Sequence, residues 1–297
     1  MPHVKRPAAA LLVTLLVAAS ASAHVPAAVA RDGEPWLVAA LIATALLLYG
    51  LGLARLWPHA RERRALTWRA CAFVTGAATL AAFLLGPLDE AAPRSFALHM
   101  IQHEGLMLIA APLLVLGRGM PLFLWALPHD IRLACARALQ SDGLRQSWHV
   151  ATAPLTAWLL HAAALWLWHA PPLFNAALQS PALHEWQHVS FLLSALLFWH
   201  AVLRRGSHGA QAMALLYLFT TTIHTGVLGA MLTLARRPLY ASMDQGIAPW
   251  LGLTALEDQQ LGGLIMWVPG ALVYVGMALW LMARWIGRER SPAGSAA

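Results

Sequence analysis

His99 and His103 stand four residues apart with Gln102 beside the second, and the same spacing returns in His184, Gln187 and His188. On a helix, residues i and i+4 lie on one face. Each triplet therefore offers two imidazoles one turn apart, near the start of a long apolar run. Ionisable side chains inside such runs mark functional sites. Imidazole suits copper, zinc, iron and haem iron, and the thioethers of Met100, Met107, Met231 and Met266 are soft ligands of the kind that favour Cu(I). A fifth histidine, His224, lies deeper in its own apolar run, within Thr220-Thr221-Thr222-Ile223-His224-Thr225-Gly226. Glu257, Asp258, Gln259 and Gln260 precede Leu261-Gly262-Gly263 at the mouth of another. The candidate ligand set is His99, His103, His184, His188, His224 and Asp258, supported by Gln102, Gln187, Glu257, Gln259 and Gln260. The methionines are read as core, because flexible thioethers at helical spacing usually fill packing gaps.

Three other chemistries fit parts of this pattern. Histidines and glutamines in a membrane bundle can simply hydrogen-bond between helices, the preferred reading for His161, His169 and His200. His184-Glu185-Trp186-Gln187-His188 satisfies H-E-x-x-H, in which two histidines bind zinc and the glutamate is a general base. The twin element has Met100 where Glu185 stands, which argues against an intramembrane zinc metalloprotease. Facing histidines could also ligate a haem b. Copper handling is the sharpest metal hypothesis.

The elements that must position these residues follow from composition. The chain is 59% hydrophobic and 11% charged, against about 45–50% and about 25% in soluble domains. Such a chain is an all-α, polytopic membrane helix bundle. Seven spans are predicted at 35–56, 68–88, 95–116, 152–169, 183–203, 210–234 and 260–286. Ahead of them, residues 1–23 have a basic start, an apolar run and a small-residue site at Ala21-Ser22-Ala23, which reads as a cleaved signal peptide. A short outer segment, 24–34, then leads into the transmembrane domain 35–286, and a cytoplasmic tail, 287–297, closes the chain.

The net charge of +7 comes almost wholly from arginines in short loops rather than from one basic domain, so it reports topology and argues against a nucleic-acid partner. With the N-terminus outside, arginines concentrate on the inner side, Arg236 and Arg237 being the exception. Residues 131–147 mix Ile131, Leu133 and Leu139 with Arg132, Arg137 and Arg145, as expected of an amphipathic helix on the inner membrane surface. The charge-free stretch 170–182, with Pro171, Pro172 and Pro181, reads as an outer loop resting in the interface or on another membrane protein.

Leu98-His99-Met100-Ile101-Gln102-His103 with Ala111-Pro112-Leu113, Leu183-His184 with Gln187-His188, Arg237-Pro238-Leu239-Tyr240, and Leu256 through Trp267 together resemble the caa3-type CtaG family of cytochrome c oxidase assembly factors. The resemblance runs from the second span onward. It implies a multi-pass protein of the bacterial inner membrane, N-terminus outside and C-terminus cytoplasmic, without enzymatic activity. Its implied partners are membrane lipid and the subunits of an aa3 or caa3 oxidase, with a periplasmic copper donor on the copper reading. It also implies that Glu104 and Glu185 are local to this chain, since the family pattern has no regular acid at either position.

Overall fold

A computed structural model describes residues 35–204, 208–240 and 252–289. The signal peptide, the outer segment 24–34 and most of the tail lie outside the described residues. Everything regular among the described residues is helical. The helices are α1 (Pro35–Leu56), α2 (Arg63–Leu84), α3 (Pro87–Ala91), α4 (Phe96–Glu104), α5 (Ala111–Gly117), α6 (Gly119–Ala126) and α7 (His129–Leu139). They continue as α8 (Asp142–Ala151), α9 (Pro154–Trp168), α10 (Pro171–Gln179), α11 (Pro181–Leu203), α12 (His208–Thr233) and α13 (Ala255–Glu289).

Among the described residues six helical stretches are long and apolar enough to cross a membrane. The fourth predicted span is the exception. α9 has 15 residues, about 22 Å at 1.5 Å per residue, short of a hydrocarbon core of about 30 Å. It reaches spanning length only together with α8, from which it bends by 61°. The seventh span begins at Ala255, five residues before the predicted start, because Thr254 and Glu257 form a capping box: Glu257 N donates to Thr254 Oγ1 (3.3 Å) and Thr254 N donates to Glu257 Oε2 (2.8 Å).

Two loop expectations also change. The single amphipathic helix expected at 131–147 is a pair, α7 and α8, separated at Gln140 and Ser141. The stretch 170–182 is not a loop, because its prolines occupy the first positions of α10 and α11, where a missing N–H costs nothing.

The third span is continuous from Phe96 to Gly117 but changes winding, with a π-helical segment at Gly105–Ala110 between α4 and α5. Pro112 explains this. In the π turn Ala111 N donates to Leu106 O, five residues back, and the next such donor would be Pro112, which has no N–H. Trp199 Nε1 supplies the missing bond to Met107 O at 2.8 Å. That indole, fully buried, sits in the central core with Phe198, Leu218 and Tyr274.

Close helix approach depends on small residues, as is usual in membrane bundles. A Cβ on Gly263 would lie 2.8 Å from Gly229 O, so α12 and α13 touch backbone to backbone there. The large apolar residues left uncovered, among them Trp36, Leu47, Leu234, Leu272 and Leu279, line the outside of the bundle as a lipid-facing surface would.

Candidate metal centre

α4 and α11 begin in the same way. Ser95 Oγ accepts from Leu98 N (3.3 Å) and Ser180 Oγ accepts from Leu183 N (3.5 Å), so each helix starts at a serine N-cap. Counting from each serine, the histidines fall at the fourth and eighth positions and the glutamine at the seventh, giving Ser-x-Ala-Leu-His-x-x-Gln-His twice. The repeat thus includes the caps, which the histidine spacing alone did not reveal. Equal offsets from equal caps bring the two polar faces to one depth at one end of the bundle.

There the four imidazoles pack ring against ring. Centroids are 4.2 Å apart for His99 and His103, 4.3 Å for His184 and His188, 5.2 Å for His99 and His184, 5.3 Å for His103 and His188, and 6.5 Å for His99 and His188. Apolar groups close the cluster. The Phe174 ring of α10 lies 5.1 Å from His99, and Phe191 lies 4.6 Å from His103. Beyond Phe174, Tyr240 packs on both Phe174 (4.3 Å) and Phe96 (4.8 Å), so aromatic rings cap this end of the bundle.

The polar atoms inside are unpartnered. Both ring nitrogens of His99 and His103, Nε2 of His184 and His188, both amide atoms of Gln187 and Oε1 of Gln102 are buried without a hydrogen-bond partner. Gln102 is held on its other side, its Nε2 donating to Phe83 O (2.8 Å) and Asp89 Oδ1 (2.6 Å). Buried polar groups are nearly always paired, so this many unpaired donors and acceptors in one place set the cluster apart from the rest of the bundle. Imidazole nitrogen suits copper, zinc, iron and nickel alike. Among the described residues no group of three or more His, Cys, Asp or Glu is arranged, as the side chains stand, to hold a metal ion.

The remaining candidates lie elsewhere. His224 Nδ1 accepts from Trp166 Nε1 (3.4 Å), and its ring meets Trp158 edge-on at 5.7 Å, apart from the four. Asp258 is occupied by helix capping: Oδ1 accepts from Ser95 Oγ (2.7 Å) and Ala97 N (3.2 Å), and Oδ2 from Phe96 N (2.5 Å). A carboxylate at a helix N-terminus is where the macrodipole favours it. Gln259 bridges Leu239 N and Leu232 O at 2.6 and 3.4 Å, Gln260 Nε2 donates to Ala235 O at 3.0 Å, and Glu257 closes the capping box. Asp258, Gln259 and Gln260 tie the ends of α4, α12 and α13 together, Glu257 caps α13, and these bonds are separate from the imidazoles.

His161 and His169 are buried, His161 with partners on both ring nitrogens and His169 with a backbone partner on Nδ1. His161 meets Ser194 Oγ at 3.2 Å and Tyr274 OH at 3.5 Å. His169 Nδ1 donates to Leu165 O at 2.6 Å, and its carbonyl accepts from Tyr240 OH at 2.9 Å. Burial raises the Tyr240 phenol well above its usual range, so it stays a donor. Glu185 is exposed on α11, whereas the adjacent His184 directs Nε2 into the buried cluster.

Fold and site together define a polytopic helical membrane protein with a buried, unpartnered imidazole cluster at one end of the bundle. The sequence matches the cytochrome c oxidase caa3 assembly factors (CtaG) over residues 47–288, and the chain belongs to that family. It is also 28% identical over 280 residues to uncharacterized proteins of Mycobacterium bovis and Mycobacterium tuberculosis, and 25% identical over 283 residues to one of Mycobacterium leprae. Each of these alignments covers 89% of this chain and 41% of the relative. The chain thus spans about two fifths of the length of the curated relatives it matches. No solved structure matches it.

Proposed function

We propose that this protein matures an aa3- or caa3-type cytochrome c oxidase by holding copper transiently in the four-histidine cluster and passing it to a nascent oxidase subunit. It does so in the bacterial inner membrane, N-terminus outside and C-terminus cytoplasmic, and without catalysis. One observation carries the reading: four imidazoles packed together on two capped helices, with six buried ring nitrogens unpartnered. A copper donor on the periplasmic side supplies the ion, and the positive-inside pattern of the loops supports an outer-leaflet position for the cluster.

Each step rests on the chain's own groups. His99 and His184, one turn below the serine caps, meet an incoming ion first, and His103 and His188 receive it one turn deeper. Neutral imidazoles bind without exchanging protons with a carboxylate, and the aromatic cap excludes water. Rings with no closed four-ligand geometry built in suit release rather than retention, since closed tetrahedral sites are the structural kind. Direct ring-to-ring packing favours an ion over a haem macrocycle, which needs a slot between its axial histidines. The exposure of Glu185 weighs against a zinc protease, whose glutamate must reach the metal-bound water.

The test is metal content by mass spectrometry with an optical spectrum, on detergent-purified protein and its His103→Ala/His188→Ala double variant, after copper loading under reducing conditions. The expected result is copper in the wild type, its loss in the variant, and no Soret band. Metal in neither would leave a scaffold for oxidase subunits. A Soret band would replace copper with haem.

A further inference from the structure

Met100, packed in a core cluster with Phe96, Phe174 and Tyr240, turns its sulfur toward His169. Both are buried, at 1% and 4% exposure, and Met100 Sδ lies 3.4 Å from His169 Nε2. The tautomer of His169 follows from its other nitrogen. Nδ1 is 2.6 Å from Leu165 O, a carbonyl that can only accept, so the proton resides on Nδ1. In the neutral ring Nε2 therefore presents a lone pair, and the thioether sulfur presents another. Two Lewis bases are held in contact with no proton between them.

The surroundings keep them there. Leu165 O fixes the ring plane, the arrangement in which metal-ligating histidines are commonly oriented by a backbone carbonyl. Tyr240 OH binds the His169 carbonyl and anchors the end of α9. Met100 follows His99 directly on α4, and Phe191 touches both His103 (4.6 Å) and His169 (6.0 Å), so the pair adjoins the imidazole cluster rather than forming a remote site.

We infer that Met100 Sδ and His169 Nε2 form a second, soft-ligand station for a cuprous ion beside the four imidazoles. This rests on the copper reading above and adds to it the oxidation state of the cargo and a sulfur ligand. Thioether and imidazole together favour Cu(I) over Zn(II) or Cu(II). A station of different softness next to an all-nitrogen cluster gives the ion a place to move within the bundle, as transfer rather than storage requires.

The test is X-ray absorption on the full-length protein in detergent, loaded anaerobically with Cu(I), alongside copper-to-protein ratios for the wild type, Met100→Leu and His169→Asn. Leucine conserves the volume of Met100, and asparagine keeps an N–H for Leu165 O while removing Nε2. The expected result is a sulfur shell with nitrogen in the wild type, and loss of that shell with a lower copper ratio in both variants. Zinc in tenfold excess should leave the wild-type sulfur signal unchanged. Copper bound through nitrogen alone in the wild type, or a sulfur shell that persists in both variants, would overturn the second station and leave the imidazole cluster standing. Absence of copper from the wild type would remove the copper reading itself.

Discussion

Two polar junctions lie within a few turns of each other at the Ser95 end of the bundle, and they treat their polar atoms in opposite ways. At Asp258 both carboxylate oxygens are used, by Ser95 Oγ and by the amides of Phe96 and Ala97. At the four imidazoles, six ring nitrogens have no partner. Membrane interior has no water to repair an unpaired group, so the first junction stabilises the bundle and the second costs it stability. A cost kept inside a packed core points to function, whereas a satisfied network needs no ligand to explain it. The same distinction separates His161, with Ser194 and Tyr274 on its two nitrogens, from His99, with neither nitrogen paired.

The largest effect on folding should come from Asp258→Ala. The change strands the Ser95 hydroxyl and two helix-start amides, all buried at the meeting of α4 and α13. Bonds to a charged acceptor contribute about 1.5–3 kcal/mol each, and stranded donors cost more than the bond itself, so a loss of about 3 kcal/mol or more is expected. It would be read as a lower unfolding midpoint in detergent and as reduced protein in membranes. A variant that unfolds like the wild type would make Asp258 available as a ligand after all.

His161→Leu should be milder. It removes two neutral hydrogen bonds and leaves the Tyr274 hydroxyl without its acceptor, while Ser194 Oγ keeps its bond to Phe191 O, for a loss of about 1–2 kcal/mol. Oxidase maturation in cells carrying it should match the wild type once protein levels are equalised. A maturation defect at equal protein level would move His161 from the satisfied group into the functional one and blur the contrast.

Much of this was readable from residue order. The two His-x-x-Gln-His faces, their shared depth and the polytopic fold follow from i, i+4 spacing inside apolar runs. Asp258 was read as a ligand because a sequence shows a polar side chain but not whether it is paired, and its partners lie 161 to 163 residues away. The early start of α13 was legible, since Thr254-x-x-Glu257 is a capping-box pattern. α10 was hidden by its prolines, which read as loop punctuation yet serve as first-turn residues of α10 and α11. The Met100–His169 contact had no sequence signal, because it depends on where α9 ends against α4.

The smallest effect on folding, and the sharpest form of the contrast, is expected for His103→Leu. Its ring lies among His99, His188 and Phe191 at 1% exposure with both nitrogens unpartnered. Leucine fills most of the volume and brings no polar atom, so the shape penalty of about 1 kcal/mol is offset by removing buried polar groups that cost about 1–3 kcal/mol when unpaired. The unfolding midpoint should stay level or rise while oxidase activity in the host falls. Stability and activity moving apart in this way is what a site maintained against its own folding cost must show. If instead the midpoint drops by several degrees together with activity, His103 is a packing residue whose nitrogens find partners in the membrane, and the two junctions are alike.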